Sequence, residues 1–390
     1  MRIALLSVLG REPAPSRAAF ANFAGAMIVE RQLDLAIRLG CKRVACMVEA
    51  VESEVVRLQH RAEQAGLKFR AIRQPSRLYG MVNEDDELLV FASAVLPDDE
   101  AAAAALDKKA ILAFSADMAV PLGYERIDNE QAWSGVMLIP GTTVGLLGQL
   151  PEDIDVPSSL MRLGLQTGTP VRPLDRKTLS EGRWHLSPGR ETLDLREKNW
   201  IDAQRRDIAF LAPGMAVAER VGGRLARDLL GTAAEGAPAI LAAVASIAAL
   251  GAGAFGATTI GLGLVSLAAL FKHVGGVVER VARIGRAERK SSPLLRFLDY
   301  AIDPIFILML IIAAPAGLGA FGAFVPLVLF GLLRLGQRHS SERWRATYAD
   351  RISLGALILP AAFFGLSTEA AAILALLVLA TRFFDGFRES

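Results

Sequence analysis

Residues Gly236 to Phe271 read GAPAILAAVASIAALGAGAFGATTIGLGLVSLAALF, 36 positions without a charged side chain. A hydrocarbon core of about 30 Å needs only about 20 helical residues. One straight helix of this length would reach about 54 Å at the usual rise, far too long for a single crossing. Gly251-Ala-Gly253 interrupts the run near its middle, so the stretch reads as a helical hairpin. Two further runs behave alike. Pro304–Leu333 is charge-free with a break at Pro315-Ala-Gly317, and Ile352–Thr381 holds only Glu369, with a break at Gly365-Leu-Ser367. The expectation is three hairpins, hence an all-α polytopic membrane domain of six transmembrane helices over 236–390.

Charge placement supports an even count. Lys272, Arg280, Arg283, Arg286, Arg289, Lys290 and Arg296 lie between the first and second runs. Arg334, Arg338, Arg343, Arg345 and Arg351 lie between the second and third, and Arg382 and Arg388 follow. The hairpin tips carry no Lys or Arg. Six spans put every basic segment and both termini on one side, as the positive-inside rule requires. Fewer, tilted spans with re-entrant pieces are the alternative, since 30-residue runs leave about 15 residues per crossing.

Outside these runs the chain reads as soluble. It has 390 residues, 52% apolar and 22% charged, with 43 Lys and Arg against 41 Asp and Glu. A net charge of +2 gives no reason to expect a nucleic-acid partner. Two cysteines, Cys41 and Cys46, exclude a disulfide scaffold and a four-cysteine zinc site, and both read as reduced packing residues. The four histidines show no metal-ligand spacing. Met1–Gly10 is too short for a span and lacks a cleavage site, so the first 200 residues are expected to stay cytoplasmic.

Residues 1–177 alternate short apolar runs with amphipathic ones. Strands are expected at Ile3–Val8, Arg43–Val48, Lys68–Ile72, Glu87–Ala92, Ala110–Phe114 and Gly135–Ile139, with helices at Ala26–Leu39 and Val51–Ala65. Strand–helix–strand–helix–strand order predicts an α/β doubly wound domain, with ligands at the carboxyl ends of its strands. After the first strand comes Leu9–Asn22, with Gly10, Arg11 and Arg17 as candidate phosphate-binding residues. Thr178–Asp194 is polar, with Pro188-Gly189, and 178–197 is expected to be a linker. Residues 198–235 mix apolar positions with Arg205, Arg206, Arg220, Arg224 and Arg227, which suits interfacial amphipathic helices on an anionic membrane surface. An ordinary amphipathic helix against the N-terminal domain is the alternative.

Two resemblances follow. Phe23-Ala-Gly25-Ala-Met27-Ile28, with Glu30-Arg31-Gln32-Leu33 after it and Glu87-Leu-Leu-Val-Phe-Ala-Ser93 beyond, resembles the nucleotidyltransferases of the sugar-nucleotide and cytidylyltransferase type over about 1–175. That resemblance implies nucleotide binding and Mg²⁺. The loop has one glycine where the family has two or more, the Pro-Lys pair is replaced by Ala18-Ala19, and the strand that normally ends in a metal-binding Asp ends Ala92-Ser93-Ala94.

Leu295-Arg-Phe-Leu-Asp299-Tyr-Ala-Ile-Asp303 resembles the second half of the CDP-alcohol phosphatidyltransferase motif. Lys272-His-Val-Gly275-Gly276-Val-Val-Glu279-Arg280 overlays the first half, with Lys272 and Gly275 at its Asp positions. The resemblance implies that Asp299 and Asp303 are catalytic and metal-holding, that Arg280 or Arg283 contacts phosphate, and that a membrane lipid and a CDP-alcohol are partners, with a homodimer. Ion pairing of Asp299 and Asp303 with Lys272, Arg296 or Arg280 is the competing reading. The expected function is polar-lipid headgroup metabolism at a bacterial inner membrane, with catalysis either full or reduced. A non-catalytic scaffold for a lipid-synthesis enzyme, or a transporter with a regulatory domain, are the alternatives.

Overall fold

The computed structural model describes residues 1–10, 17–151, 154–186, 190–203, 211–283, 291–340 and 342–385. The chain divides into two compact units, the first holding Met1–Trp200 and the second Ile201–Ala282 with the described residues from 291 on.

In the first unit the elements are β1 (Arg2–Ser7), β2 (Asn22–Phe23), β3 (Ala26–Met27), α1 (Ile28–Arg38), β4 (Arg43–Met47), α2 (Ser53–Gln64), β5 (Lys68–Ile72), α3 (Ser76–Tyr79), β6 (Glu87–Phe91) and β7 (Val95–Leu96). They continue as α4 (Asp99–Ala105), β8 (Ala110–Ser115), α5 (Ala116–Ala119), β9 (Gln131–Pro140), α6 (Thr142–Gly145), α7 (Val156–Gln166), β10 (Val171–Pro173), α8 (Arg176–Ser180), β11 (His185–Leu186) and α9 (Arg190–Ala203). Seven strands form one sheet in the order β10-β8-β9-β6-β1-β4-β5. The block β5-β4-β1-β6 is parallel, as expected; β1, β4 and β6 are buried after their first residue, whereas β5, at the sheet edge, leaves Lys68 and Arg70 exposed. β9 differs: it runs antiparallel to both neighbours. The core is built on these strands, with Ile3, Leu5, Leu6, Val44, Leu88 and Val90 fully buried. Cys41 and Cys46 are buried free thiols, which burial pushes up to about 12.

The stretch expected as a linker is partly core. Trp184 is 1% exposed, its indole donates to the Ser134 carbonyl, and β11 pairs with β7.

The second unit is helical: α10 (Pro213–Leu229), α11 (Ala237–Ala254), α12 (Thr258–Arg283), α13 (Pro293–Ala313), α14 (Phe321–His339), α15 (Glu342–Ala349), α16 (Arg351–Phe363) and α17 (Ser367–Asp385). The three hairpin turns fall between α11 and α12, α13 and α14, and α16 and α17, close to the Gly, Pro and Ser breaks in the sequence. The count of six transmembrane helices is corrected. Among the described residues three segments, Ala233–Ala254, Thr258–Arg283 and Phe321–His339, are long and apolar enough to cross a membrane. α13 carries Arg296, Asp299 and Asp303 in its first half. α16 has 13 residues, which spans about 20 Å at 1.5 Å each. The apolar part of α17, Ser367–Thr381, is also short.

Close helix approach uses small residues. A Cβ on Gly355 of α16 would lie 1.9 Å from Ser266 Oγ of α12, and one on Gly222 of α10 would lie 2.7 Å from Val277 Cβ. α10 buries Gly214, Ala218, Gly222, Gly223 and Ala226 along one face and leaves Val217 and Val221 exposed.

Candidate functional site

The carboxyl ends of β1, β4, β5 and β6 converge on a cleft of about 420 Å³ lined by Gly10, Glu49, Arg73, Ser93 and Asp155 over apolar Leu9, Met47, Val48 and Ile154. The volume suits a small ligand. A strand-end crevice in a parallel block is also where such sheets bind ligands, because each strand there hands over to a loop.

The turn after β6 contributes Ala92 and Ser93 to this cleft, and buried polar contacts shape it and the β2–β3 turn alike. After β6, Gln32 of α1 donates its Nε2 to the carbonyls of Ala92 (3.0 Å) and Val95 (2.7 Å). Between them Ala94 adopts φ +59°, a left-handed conformation that disfavours a Cβ. Gly135 of β9, at φ +86°, lets Val95 approach: a Cβ there would sit 2.5 Å from Val95 Cγ2. After β2, Ala24 (φ +48°) and Gly25 (φ +76°) form the tight turn of the β2–β3 hairpin. Ala24 donates its N–H to Glu197 at 2.8 Å and accepts from Arg31 at 2.9 Å. The Arg31 guanidinium lies 5.5 Å from the Trp200 ring of α9. Non-glycine residues in left-handed backbone cost about 1–2 kcal/mol each and persist where surrounding contacts hold them.

α1 is itself tied to α2. Burial pushes the Glu30 carboxyl up, but hydrogen bonds from Arg57 and the Met27 N–H, with the charges of Arg57 and Arg61, outweigh it and hold the group below the usual carboxylate range. Arg57 meets Glu30 at 2.9 Å and Arg61 meets Asp34 at 2.7 Å.

Of the residues predicted to bind phosphate, Gly10 lines the cleft and Arg11 lies outside the described residues. Arg17 is ion-paired with Glu52 at 3.2 Å and Glu54 at 2.5 Å, on an exposed patch at the start of α2, and does not line the cleft. Arg280 pairs with Glu219 of α10 at 2.9 Å, and Arg283 is the exposed last residue of α12. Asp299 pairs with Lys272, and Asp303 is held by Arg334 and Arg351. Lys272 is one of the partners that the competing ion-pair reading named, whereas Arg334 and Arg351, the partners of Asp303, are not among them.

The cleft residues Glu49, Arg73 and Asp155 escaped the sequence reading. Glu49 and Arg73 directly follow the apolar runs of β4 and β5, so the strand-end rule alone would have pointed to them. The acids nearest the end of β6 are structural. Asp98 caps α4 through the Ala101 N–H at 2.8 Å, and Asp99 pairs with Arg38 at 3.0 Å. Among the described residues no group of three or more His, Cys, Asp or Glu could hold a metal ion. Among the described residues Glu49 and Asp155 are the carboxylates lining the cleft, and its donors suit a phosphate-bearing ligand.

No family model and no curated protein matches the sequence. Solved structures match about half of it. One assigned as a glucose-1-phosphate thymidylyltransferase of Bacillus anthracis is 14% identical, with TM-score 0.37 over 54% of this chain and 96% of its own. An inositol-1-phosphate CTP transferase of T. maritima is 14% identical, with TM-score 0.38 over 51% and 96%. A UDP-glucose pyrophosphorylase of Acinetobacter baumanii is 12% identical, with TM-score 0.37 over 53% and 95%. Overlaps this small leave the class to be defined by strand order and cleft: an α/β sheet unit with a ligand-sized strand-end crevice, in one chain with an apolar helical unit.

Proposed function

We propose that this chain is a membrane-bound protein of polar-lipid headgroup metabolism, with a nucleotidyltransferase-like first unit that binds a nucleotide in the strand-end cleft and a CDP-alcohol phosphatidyltransferase-like second unit embedded in a bacterial inner membrane. Transfer chemistry is reduced or lost in both. The observation that carries this reading is the composition of the cleft. Gly10 and Arg73 can meet phosphate oxygens, while Ala92 and Ser93 stand where a metal-binding carboxylate would be needed for nucleotidyl transfer. Mg²⁺ carried in by a triphosphate would find Glu49 and Asp155 at the rim. The scaffold reading gains from Asp299 and Asp303, whose carboxylates are engaged by basic side chains.

CTP titration of the full chain in nanodiscs, with and without Mg²⁺, tests the proposal. Metal-independent binding is expected, weakened about 10-fold or more by Arg73→Gln, the loss of one charge-assisted hydrogen bond at about 1.5–3 kcal/mol. Strictly Mg²⁺-dependent binding, with pyrophosphate released once a phosphorylated alcohol is added to accept the nucleotidyl group, would restore the full enzyme reading. No binding of CTP or of any other nucleoside triphosphate would refute the nucleotide site.

A further inference from the structure

The resemblance over 272–303 implies a divalent metal held by Asp299 and Asp303, and the donor set does not fit one. Both carboxylate oxygens of Asp303, which is 8% exposed, are engaged: Oδ1 accepts from Arg351 Nε at 2.6 Å, and Oδ2 from Arg351 Nη2 at 2.9 Å and Arg334 Nε at 2.7 Å. One turn earlier on α13, Asp299 is paired with Lys272 of α12. Three cations thus stand against two carboxylates, leaving a local charge of +1, where a divalent ion between the same two acids would leave zero.

We propose that Lys272, Arg334 and Arg351 take the place of the metal as fixed cations, and that together they form a metal-free site for a phosphate group. The site is preorganised. Arg351 grips Asp303 with a two-pronged fork, donates a further bond to the Tyr348 carbonyl, and stacks 5.3 Å from the centre of the Phe330 ring. It is 9% exposed and works as the anchor. Arg334 and Lys272 are the accessible members, with side chains 40% and 31% exposed. Arg334 meets Asp303 through Nε and the Asp299 carbonyl through Nη2, the latter at 3.3 Å. Arg334 and Lys272 both reach Asp299, one at its carbonyl and the other at its carboxylate, and a guanidinium and an ammonium sharing one residue, with surplus positive charge, suit the oxygens of a phosphate monoester or diester. The group can arrive on a lipid or free in solution, and the chemistry is the same for both.

The test uses the full chain in neutral phosphatidylcholine nanodiscs, in an Arg73→Gln background so that the first unit's cleft contributes little phosphate affinity. Mn²⁺ binding is followed by electron paramagnetic resonance. Inorganic phosphate is titrated by calorimetry, and phosphatidic acid is introduced into the nanodisc. The expectation is no Mn²⁺ bound at Asp299 and Asp303, so that Asp299→Asn changes no Mn²⁺ signal. Phosphate or phosphatidic acid binding is expected to be insensitive to EDTA and weakened at least tenfold by Arg334→Gln or Lys272→Met. Thermal unfolding of Arg334→Gln should stay close to that of the parent, since Arg351 keeps Asp303 paired. Binding of phosphatidic acid alone assigns the lipid source, and binding of both assigns the phosphate group itself. One stoichiometric Mn²⁺ lost on Asp299→Asn overturns the proposal. So does failure to bind either phosphate probe, or affinity unmoved by both Arg334→Gln and Lys272→Met.

Discussion

Asp350 is the residue whose loss should be most informative about the second unit. It is 3% exposed, and each of its oxygens caps a different helix. Oδ1 accepts from the Ile352 and Ser353 N–H groups, at 3.2 and 3.0 Å, at the start of α16. Oδ2 accepts from the Gly214 and Met215 N–H groups, at 2.9 and 3.2 Å, at the start of α10, and from Ser353 Oγ at 2.7 Å. Removing one capping side chain costs about 0.5–2 kcal/mol, and here two caps disappear into a buried site, so Asp350→Ala should cost about 2–4 kcal/mol. For a unit of this size that lowers the melting temperature by about 5–15 °C. Asp350→Asn keeps one oxygen and turns an NH₂ toward the other helix, so it should cost an intermediate amount. Gly214→Ala attacks the same joint from the other side: its Cβ would lie 2.5 Å from Asp350 Oδ1, 2.6 Å from Ile352 Cβ and 2.8 Å from Ser353 N. Hydrogen exchange read by mass spectrometry on detergent-solubilised protein is the assay. Asp350→Ala should deprotect peptides over 213–218 and 351–356 together. If either stays as protected as in the parent, or if the Asn variant matches the Ala variant in melting temperature, the double-cap argument fails.

Burial, reinforced by the charge of Arg196, pushes His185 down to about 4, so it is neutral in the folded chain at pH 7. The unfolded chain binds the extra proton between about 4 and 6.5, so the His185 contribution to stability is full above 6.5 and is lost as pH falls toward 4. His185→Gln should flatten the pH dependence of first-unit melting across that window, and an unchanged slope would contradict the burial assignment. Gly355→Ala pushes a methyl into Ser266 across the α12–α16 contact and should cost about 1–3 kcal/mol. Adding Ser266→Gly should recover most of that loss in thermal unfolding; additive losses would place the strain elsewhere.

The sheet was largely legible because the buried strands β1, β4 and β6 are near-continuous apolar runs and the edge strand β5 alternates polar and apolar residues. Arg43–Met47, Lys68–Ile72 and Glu87–Phe91 lie within one residue of their expected bounds. β9 was read too short and its direction was missed. Its first half, Gln131–Ser134, precedes Gly135, whose positive φ interrupts the strand pattern, and periodicity carries no information about strand direction. The 178–197 stretch deceived because two large apolar residues, Leu179 and Trp184, pin a segment that is polar by count. Hairpin breaks were readable from Gly, Pro and Ser. Span number was not, because run length cannot say how many residues each turn removes, and α13 carries three charges in its first half. In the site, the i, i+4 spacing of Asp299 and Asp303 was visible. Two of their partners were not, since Arg334 and Arg351 lie 31 and 48 residues beyond Asp303.

Those distant partners also change what the basic segments mean. Counting Lys and Arg by loop sets orientation, because acidic residues contribute little to that rule. Attraction to an anionic lipid surface depends instead on charge left unneutralised within about a Debye length. Lys272, Arg280, Arg334 and Arg351 all count toward the basic belts, yet each is paired with an acid of the same unit. Apart from the single surplus charge at Lys272, Arg334 and Arg351, attraction to an extended lipid surface therefore has to come from other positions. On α10 the small residues are buried, whereas Arg220 and Arg224 are exposed beside Val217 and Val221. Cation and apolar side chain together on one exposed helix face are what an interfacial helix needs. The basic residues thus divide the work physically: those paired with α13 and α10 acids hold helices together, with Lys272 and Arg334 also exposed enough for the single local phosphate site proposed above, and those on the open side of α10 remain available to the lipid surface at large.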